Sequence, residues 1–192
     1  MTETPNPHIP DSDTLTGEMR PIRRAVLSLG SNLGERLTSL QGAVNAIADT
    51  PDVWVTGVSP VYETEPVDCP PGSENFLNAV VLIDTTLAAS RLLDRAHAIE
   101  DAMGRERGDG VPVNAPRTLD VDVIVVGDRR ADDEHLVLPH PRAFERAFVL
   151  QPWYDIEPDA VLPDHGPIAE LLEKAPDRDG LKLRDDLTLQ DQ

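Results

Sequence analysis

Three short apolar runs, separated by segments with a helical repeat, constrain the fold of this chain more than any other feature of its sequence. The runs lie at 25–29, 76–83 and 119–126, and their length and β-rich composition are typical of strands. Segments 36–49 and 88–103 carry apolar residues three and four positions apart, which predicts two amphipathic helices. Strands and helices therefore alternate along the chain.

A β-rich segment at 53–62 completes the order β-α-β-β-α-β. This is the order of a ferredoxin-like split βαβ sandwich, an α+β fold with a mainly antiparallel sheet and helices on one face. A doubly wound parallel sheet needs more strand–helix units than the sequence provides. Short helices are predicted at 142–150 and 168–174, and a last short strand at 181–189.

The two ends of the chain differ from its middle. Residues 1–21 are rich in Pro, Thr and Asp and have no apolar repeat, which predicts a disordered N-terminal tail before a single domain at 22–189. No apolar run approaches the roughly 20 residues of a membrane span, and no signal peptide opens the chain. One cysteine, Cys69, excludes an internal disulfide framework. We therefore expect a cytoplasmic protein.

The charge of the chain limits its partners. Seventeen Lys and Arg residues stand against 35 Asp and Glu residues, which gives a net charge of −18. So acidic a protein is repelled by phosphate backbones and by anionic lipid surfaces, so we expect neither nucleic acid nor a membrane as a partner. Hydrophobic residues still make up 40% of the chain, enough for a core.

Two aspartates give the strongest chemical signal. Asp120 and Asp122 lie two positions apart in the strand at 119–126, so their carboxylates point to the same face of the sheet. Magnesium favours one or two carboxylates together with substrate phosphates, and it would offset their mutual repulsion. On the pair alone, a solvated strand face is an equal alternative; Arg117 and the apolar alternation favour the metal.

A second signal is basic. Arg105, Arg107 and Arg117 surround one loop in a chain otherwise short of positive charge. Guanidinium groups match phosphate oxygens bidentately, so the set favours phosphate binding, and His140 and Arg146 are candidates for the same site. For any one of these arginines, a surface salt bridge is the better interpretation.

The remaining candidates are polar and aromatic. Phe76 and Asn78 share a strand face and could hold a flat heterocycle, with Phe148 as a second ring; a core Phe and a turn-facing Asn are the alternative. Glu100 could orient a metal shell or accept a polar ligand; taken alone, it is typical of an exposed helix acid. Gly-Ser-Asn at 30–32 is compatible with a phosphate-binding turn or, more commonly, a helix cap.

Six segments also share the order and spacing of a known family's motifs. They are LSLGSNLGER at 27–36, Y-x-T-x-P at 62–66, FLNAVV at 76–81, IEDAMGRER at 99–107, APRTLDVDVIVVGD at 115–128 and LPHPRAFERAFVLQPW at 138–153. With them the chain resembles the 6-hydroxymethyl-7,8-dihydropterin pyrophosphokinases of folate biosynthesis. The resemblance implies a ferredoxin-like fold.

The resemblance also implies an activity, which is transfer of the terminal pyrophosphoryl group of ATP to the hydroxymethyl group of the dihydropterin, with release of AMP. Such an enzyme is an ATP-dependent pyrophosphokinase, a diphosphotransferase. Asp120 and Asp122 match the family's ligands of two Mg²⁺ ions. ATP is then the co-substrate, the partners are small molecules, and we expect a monomer.

Further site residues follow from the same matches. The residues matching catalytic positions are Arg105, Arg117, Asp120 and Asp122. The residues matching ATP-binding positions are Glu100, Arg105, Arg107, Arg117, His140 and Arg146. The residues matching the pterin pocket are Thr64, Pro66, Phe76, Asn78 and Phe148. The chain departs from the family at 114–115, where Asn-Ala stands in place of the frequent Trp-Gly.

Two other functions are compatible with the same residues. Ferredoxin-like folds also serve as small-molecule-sensing modules without catalysis, because a fold alone does not fix a function. A metal-dependent phosphohydrolase that uses the same aspartates is the third function. The product of the reaction distinguishes all three.

Overall fold

An antiparallel sheet of six strands forms the centre of the computed structural model, which describes residues 20–66, 69–103 and 119–191. In chain order the strands and α-helices are β1 (Arg23–Ser31), α1 (Arg36–Ala48), β2 (Val53–Val58), β3 (Tyr62–Thr64), β4 (Phe76–Thr85), α2 (Ala89–Ala102), β5 (Asp120–Val126), β6 (Ala131–Asp132), β7 (Val137–Leu138), α3 (Ala147–Ile156), β8 (Val161–Leu162), β9 (Gly166–Pro167), α4 (Ile168–Lys174) and β10 (Lys182–Leu183). Among the described residues, two 3-10 helices lie at Ala143–Glu145 and Arg178–Gly180.

The strand order of the main sheet is β10-β3-β4-β1-β5, and β2 pairs with β4 beside β3. Every strand pair among the described residues is antiparallel. The predicted mainly antiparallel sheet is therefore confirmed. In the register, Gly30 of β1 lies opposite Asn78 on β4 and opposite Asp120 on β5, so three strands bring their polar ends together.

Helices cover both faces of this sheet, so the prediction of helices on one face is wrong. α1 and α2 pack on one face through residues such as Leu40 and Leu92. α3 and α4 pack on the other, where Trp153 is 1% exposed. The reason is visible in the strands, because β1 and β4 are buried along almost their whole length and on both sides. Strands of that kind need a layer on each face.

Most predicted elements are present, with changed bounds. The β-rich segment 53–62 forms two strands, β2 and β3, and the helix predicted at 142–150 is a 3-10 turn followed by α3. The last predicted strand, 181–189, is reduced to Lys182–Leu183. Residues 1–19 of the predicted tail lie outside the described residues. Within the part of the chain that is described, none of the helices is both long and apolar enough to cross a membrane.

Candidate active site

A cavity of about 630 Å³ opens where α3 begins, on the face of the sheet that α3 and α4 cover elsewhere. Because α3 starts only at Ala147, no α-helix among the described residues covers the ends of the strands beyond it. The strand residues that line this cavity are Ser28, Leu29 and Gly30 of β1, Thr64 of β3, Phe76 and Asn78 of β4, and Asp120 and Asp122 of β5.

The strand residues form the floor of the cavity, and Gly30 leaves this floor free of a side chain at its position. It is the residue of β1 that lies between Asn78 and Asp120. A Cβ atom at this position would stand 3.5 Å from Oδ1 of Asn78 and 3.6 Å from Cδ1 of Phe76. A side chain would therefore fill the space between the polar and aromatic residues, and glycine in a strand commonly marks such a close approach.

Asp120 and Asp122 both face the cavity. Each is partly exposed, whereas Val121 and Val123 between and after them are buried on the α1–α2 side. The prediction that the two carboxylates share one face is confirmed. The alternative interpretation, a solvated strand face, is wrong, because both aspartates line a cavity.

The donor atoms at this point suit magnesium. Two carboxylates are hard oxygen ligands, and Mg²⁺ usually takes one or two of them together with water and substrate phosphates. No group of three or more His, Cys, Asp or Glu residues able to hold a metal occurs within 20–66, 69–103 and 119–191. The described residues therefore fit an ion that is shared with a phosphate ligand better than one enclosed by protein.

A basic wall stands over the aspartates. Arg146, the residue before α3, is partly buried, and Arg142 lies one turn earlier. Burial and the charge of Arg142 lower the pKa of Arg146, while the carboxylate of Asp122 acts in the opposite direction. An arginine stays protonated at neutral pH, so Arg146 presents a fixed positive charge opposite Asp122. Its guanidinium carbon lies 5.4 Å from the ring centroid of Phe148.

On the other side of the floor, Asn78 is held in one orientation. It is 4% exposed, and its Nδ2 donates to Oγ1 of Thr64 at 2.9 Å and to the carbonyl of Tyr62 at 3.4 Å. The amide nitrogen is thereby used within the protein, and Oδ1 points toward Gly30 and the cavity. With Phe76 beside it, this is an acceptor next to an aromatic ring, not the core Phe and turn-facing Asn of the alternative.

His140 does not line the cavity, although it supports the segment that does. Its backbone N–H donates to the carbonyl of Ile124, and its Nδ1 accepts the N–H of Arg142 at 3.2 Å. Burial, together with the charges of Arg146 and Arg142, lowers the pKa of His140 to about 4. The ring is therefore neutral at physiological pH. Pro66 is likewise not among the residues that line the cavity.

Glu100 lies on the opposite side of β5. It is 3% exposed, and its Oε2 accepts the backbone N–H of Val121 at 3.2 Å. The interpretation of Glu100 as an exposed helix acid is therefore wrong, because the last turn of α2 packs over β5. The carboxylate helps to hold the strand whose other face carries Asp120 and Asp122. Its predicted role toward ATP stays a prediction.

Part of the predicted site lies outside the described residues. Arg105, Arg107 and Arg117 fall within 104–118, so their predicted phosphate contacts stay predictions. At 30–32, Ser31 belongs to β1 and the Nδ2 of Asn32 donates to the carbonyl of Glu74 at 3.4 Å. The N-cap position of α1 is Glu35, so none of residues 30–32 occupies it.

Several residues that line the cavity were missed by sequence reasoning. They are Ser28, Leu29, Glu65, Cys69, Arg142, Glu145, Pro176, Asp177 and Gly180. Gly30 was considered as part of a phosphate-binding turn or a helix cap, and the structure places it in a strand that lines the cavity, where a glycine often marks a close approach of a ligand. Arg142 and Glu145 lie in the quoted motif at 138–153. The cavity residues Pro176, Asp177 and Gly180 lie in no motif or pattern that would have indicated a site.

The chain is similar in sequence to known proteins. The sequence profile of one family, 7,8-dihydro-6-hydroxymethylpterin-pyrophosphokinase (HPPK), matches residues 26–158. The chain belongs to the HPPK family. The matched residues contain every strand residue that lines the cavity and also Arg146 and Phe148.

Two similar relatives of this HPPK-family chain carry the name 2-amino-4-hydroxy-6-hydroxymethyldihydropteridine pyrophosphokinase. The one from Pseudomonas aeruginosa is 39% identical over 155 residues, which cover 81% of this chain and 93% of the relative. The one from Methylorubrum extorquens is 44% identical over 143 residues, which cover 73% and 87%. The family resemblance found in the sequence is thereby confirmed.

A solved structure shows the same fold. The crystal structure of Plasmodium falciparum HPPK-DHPS with pterin and p-hydroxybenzoate matches with a TM-score of 0.64 at 16% identity. The match covers 87% of this chain and 47% of that one, so this chain spans about half the length of that protein. At this identity the likeness shows the fold alone, and it agrees with the predicted ferredoxin-like α+β class.

Proposed function

We propose that this chain transfers the terminal pyrophosphoryl group of ATP to the hydroxymethyl group of 6-hydroxymethyl-7,8-dihydropterin, in folate biosynthesis. The products are the pterin diphosphate and AMP. One observation carries the proposal: a carboxylate pair, a partly buried arginine and an amide–aromatic pair face a single cavity of about 630 Å³. That volume lies within the range usual for small-molecule sites.

The amide–aromatic side of the cavity is assigned to the pterin. A pterin is a flat heterocycle with N–H donors on one edge. Oδ1 of Asn78 can accept from that edge, because its Nδ2 is already used by Thr64 and Tyr62. Phe76 and Phe148, which both line the cavity, provide aromatic faces against which the ring system stacks.

The carboxylate side is assigned to the phosphates of ATP. Asp120 and Asp122 would hold Mg²⁺, with two ions proposed from the family resemblance; when bound, the metal neutralises phosphate charge. Arg146 adds a positive charge next to Asp122. Burial lowers the pKa of Arg146, but an arginine still stays protonated at neutral pH. Arg105, Arg107 and Arg117 are assigned to the same phosphate region, and His140 is assigned to it through the segment that carries Arg142 and Arg146.

The reaction itself needs mainly positioning and charge neutralisation. The hydroxymethyl oxygen of the pterin attacks the β-phosphorus of ATP, and the bond from that phosphorus to the α,β-bridging oxygen breaks. AMP leaves with the bridging oxygen, and the proton of the alcohol passes to solvent. Asn78 and the phenylalanines orient the alcohol, and Arg146 offsets the negative charge of the phosphoryl groups.

The identity of the nucleotide product tests the proposal. Purified protein is incubated with ATP, Mg²⁺ and the hydroxymethyl-dihydropterin, and nucleotides are separated by ion-exchange chromatography. We expect AMP in a one-to-one ratio with pterin diphosphate, and no product when EDTA replaces Mg²⁺. Release of ADP, or nucleotide hydrolysis without pterin, contradicts the proposal and indicates a phosphohydrolase. Pterin binding that is indifferent to Mg²⁺–ATP, with no product, indicates a sensing module.

A further inference from the structure

The chain beyond residue 175 contributes a wall to the cavity, although it lies outside the residues matched by the family profile. The profile ends at residue 158. Pro176, Asp177 and Gly180 nevertheless line the same cavity as the two aspartates of β5. This C-terminal wall, residues 176–180, follows α4 and precedes β10.

The C-terminal wall is anchored to the main sheet. β10 pairs with β3, and the backbone N–H of Arg184 donates to the carbonyl of Val61 at 2.8 Å. Nη1 of Arg184 donates to Oε2 of Glu63 at 3.0 Å, and the same oxygen accepts from Nη1 of Arg36. Because these contacts join three separate segments, the wall has a defined position relative to the cavity floor.

Within the C-terminal wall, Asp177 makes the contact that reaches the site. Its Oδ1 accepts the backbone N–H of Ala147 at 2.8 Å. Ala147 is the first residue of α3, and the first N–H groups of a helix have no partner inside the helix. The residue before it, Arg146, provides no side-chain cap. Asp177 therefore caps α3 from a segment 30 residues away.

The same hydrogen bond bears on Arg146. The N–H of Ala147 belongs to the planar peptide that follows Arg146, so fixing that plane fixes the backbone from which the Arg146 side chain leaves. Arg146 has φ −108° and ψ 103°, an extended conformation directly before the helix. The charge of Asp177 also acts to raise the pKa of Arg146, against burial and Arg142, which lower it.

We propose that Asp177 is a positioning residue of the substrate site, which directs Arg146 at the phosphate end of the cavity through its hydrogen bond to Ala147. The proposal rests on the proposed function in one respect, because Arg146 is taken there to contact phosphate. It predicts that the hydrogen-bond acceptor at position 177 matters more than the negative charge.

Three variants test this inference. Asp177→Ala removes the acceptor, Asp177→Asn keeps an oxygen acceptor without the charge, and Asp179→Asn changes an exposed carboxylate two residues away that does not line the cavity. Thermal unfolding first defines a temperature at which every variant is folded. At that temperature kcat and KM for ATP and for the pterin are measured separately, and binding of Mg²⁺ with α,β-methylene-ATP is measured by calorimetry.

We expect Asp177→Ala to lower kcat/KM about tenfold and Asp177→Asn to stay within about twofold of the wild type. Asp179→Asn should leave kinetics and analogue binding unchanged. In an Arg146→Ala background, Asp177→Ala should cost less than about twofold, because two residues that act through one interaction are not additive.

Three results would overturn the inference. The first is wild-type kinetics for folded Asp177→Ala, and the second is a loss of kcat/KM in Asp177→Asn as large as that in Asp177→Ala. The third is that the losses of kcat/KM caused by Asp177→Ala and Arg146→Ala are fully additive in the double variant. A wild-type protein that forms no AMP would refute the proposed function and leave this inference to be judged by analogue binding. In that assay, equal affinity of the wild type and Asp177→Ala counts against it, and a loss that Asp177→Asn restores supports it.

Discussion

The two ends of one sheet face differ completely in chemistry, although the same three strands form both. At the covered end, Val26, Val80 and Ile124 are buried under α3. At the open end, beyond the start of α3, the same strands present Gly30, Asn78, Asp122 and their neighbours to the cavity. The difference lies in a few positions along each strand. It teaches that the start of one helix decides which strand residues stabilise the fold and which remain available for ligands.

Asp122 and Ile124 offer the sharpest test of this contrast, because they lie two positions apart on one face of β5. Asp122→Ala should lower kcat by about a thousandfold or more, since it removes a proposed Mg²⁺ ligand. It should leave the free energy of unfolding nearly unchanged, because Asp122 is partly exposed. Turnover is measured as AMP release and stability by urea unfolding.

Ile124→Ala should give the reverse pattern. Ile124 is 1% exposed, so the truncation should cost about 2–5 kcal/mol of unfolding free energy. Below its unfolding transition, kcat/KM should stay within about threefold of the wild type. Two results would contradict the contrast between the two ends. One is an equal loss of unfolding free energy in Asp122→Ala and Ile124→Ala, and the other is a loss of turnover in folded Ile124→Ala.

Gly30→Ala tests the floor of the open end with a smaller change. The added Cβ meets Asn78 and Phe76 at ordinary contact distances, so stability should change little, while the methyl group occupies cavity space. We expect pterin affinity, measured by fluorescence titration, to fall by about tenfold. Gly57→Ala is the matched control, because its Cβ also meets neighbours at ordinary distances but outside the cavity. Equal affinities in the two variants would exclude Gly30 as part of the floor.

His140 lies at the boundary between the two ends and tests the contrast through the pH dependence of stability. Burial, with Arg146 and Arg142, lowers its pKa from 6.5 to about 4 in the folded protein. The unfolded chain therefore binds a proton first as the pH falls, so stability is complete above pH 6.5 and decreases between 6.5 and 4. Because the ring is partly exposed, we expect the free energy of unfolding to fall by only about 1–2 kcal/mol over this pH range.

The measurement for His140 is urea unfolding at pH 7.5 and pH 4.5, in the wild type and in His140→Gln. Carboxylates and other histidines titrate in both proteins, so the difference between the two pH dependences isolates His140. Identical pH dependences would show that the ring is not held neutral by its surroundings.

The sequence predicts the chemistry of the open end better than the layers around it. Period-2 alternation was enough to place Asp120 and Asp122 on one face, and the pairing of Phe76 with Asn78 followed from the same rule. The second helical layer was missed, although continuous apolar runs such as that of β4 indicate burial on both sides. The position of Asp177 could not be predicted, because its partner lies 30 residues away and no local pattern connects them.

The cavity draws its lining from Ser28 near the start of the fold to Gly180 near its end. During synthesis at the ribosome, a growing chain therefore lacks part of the cavity lining until residue 180 has been made. Ligand present at that moment binds only the finished fold and shifts the equilibrium toward it by mass action. Substrate supply in the cell should thus raise the yield of intact molecules as well as their turnover.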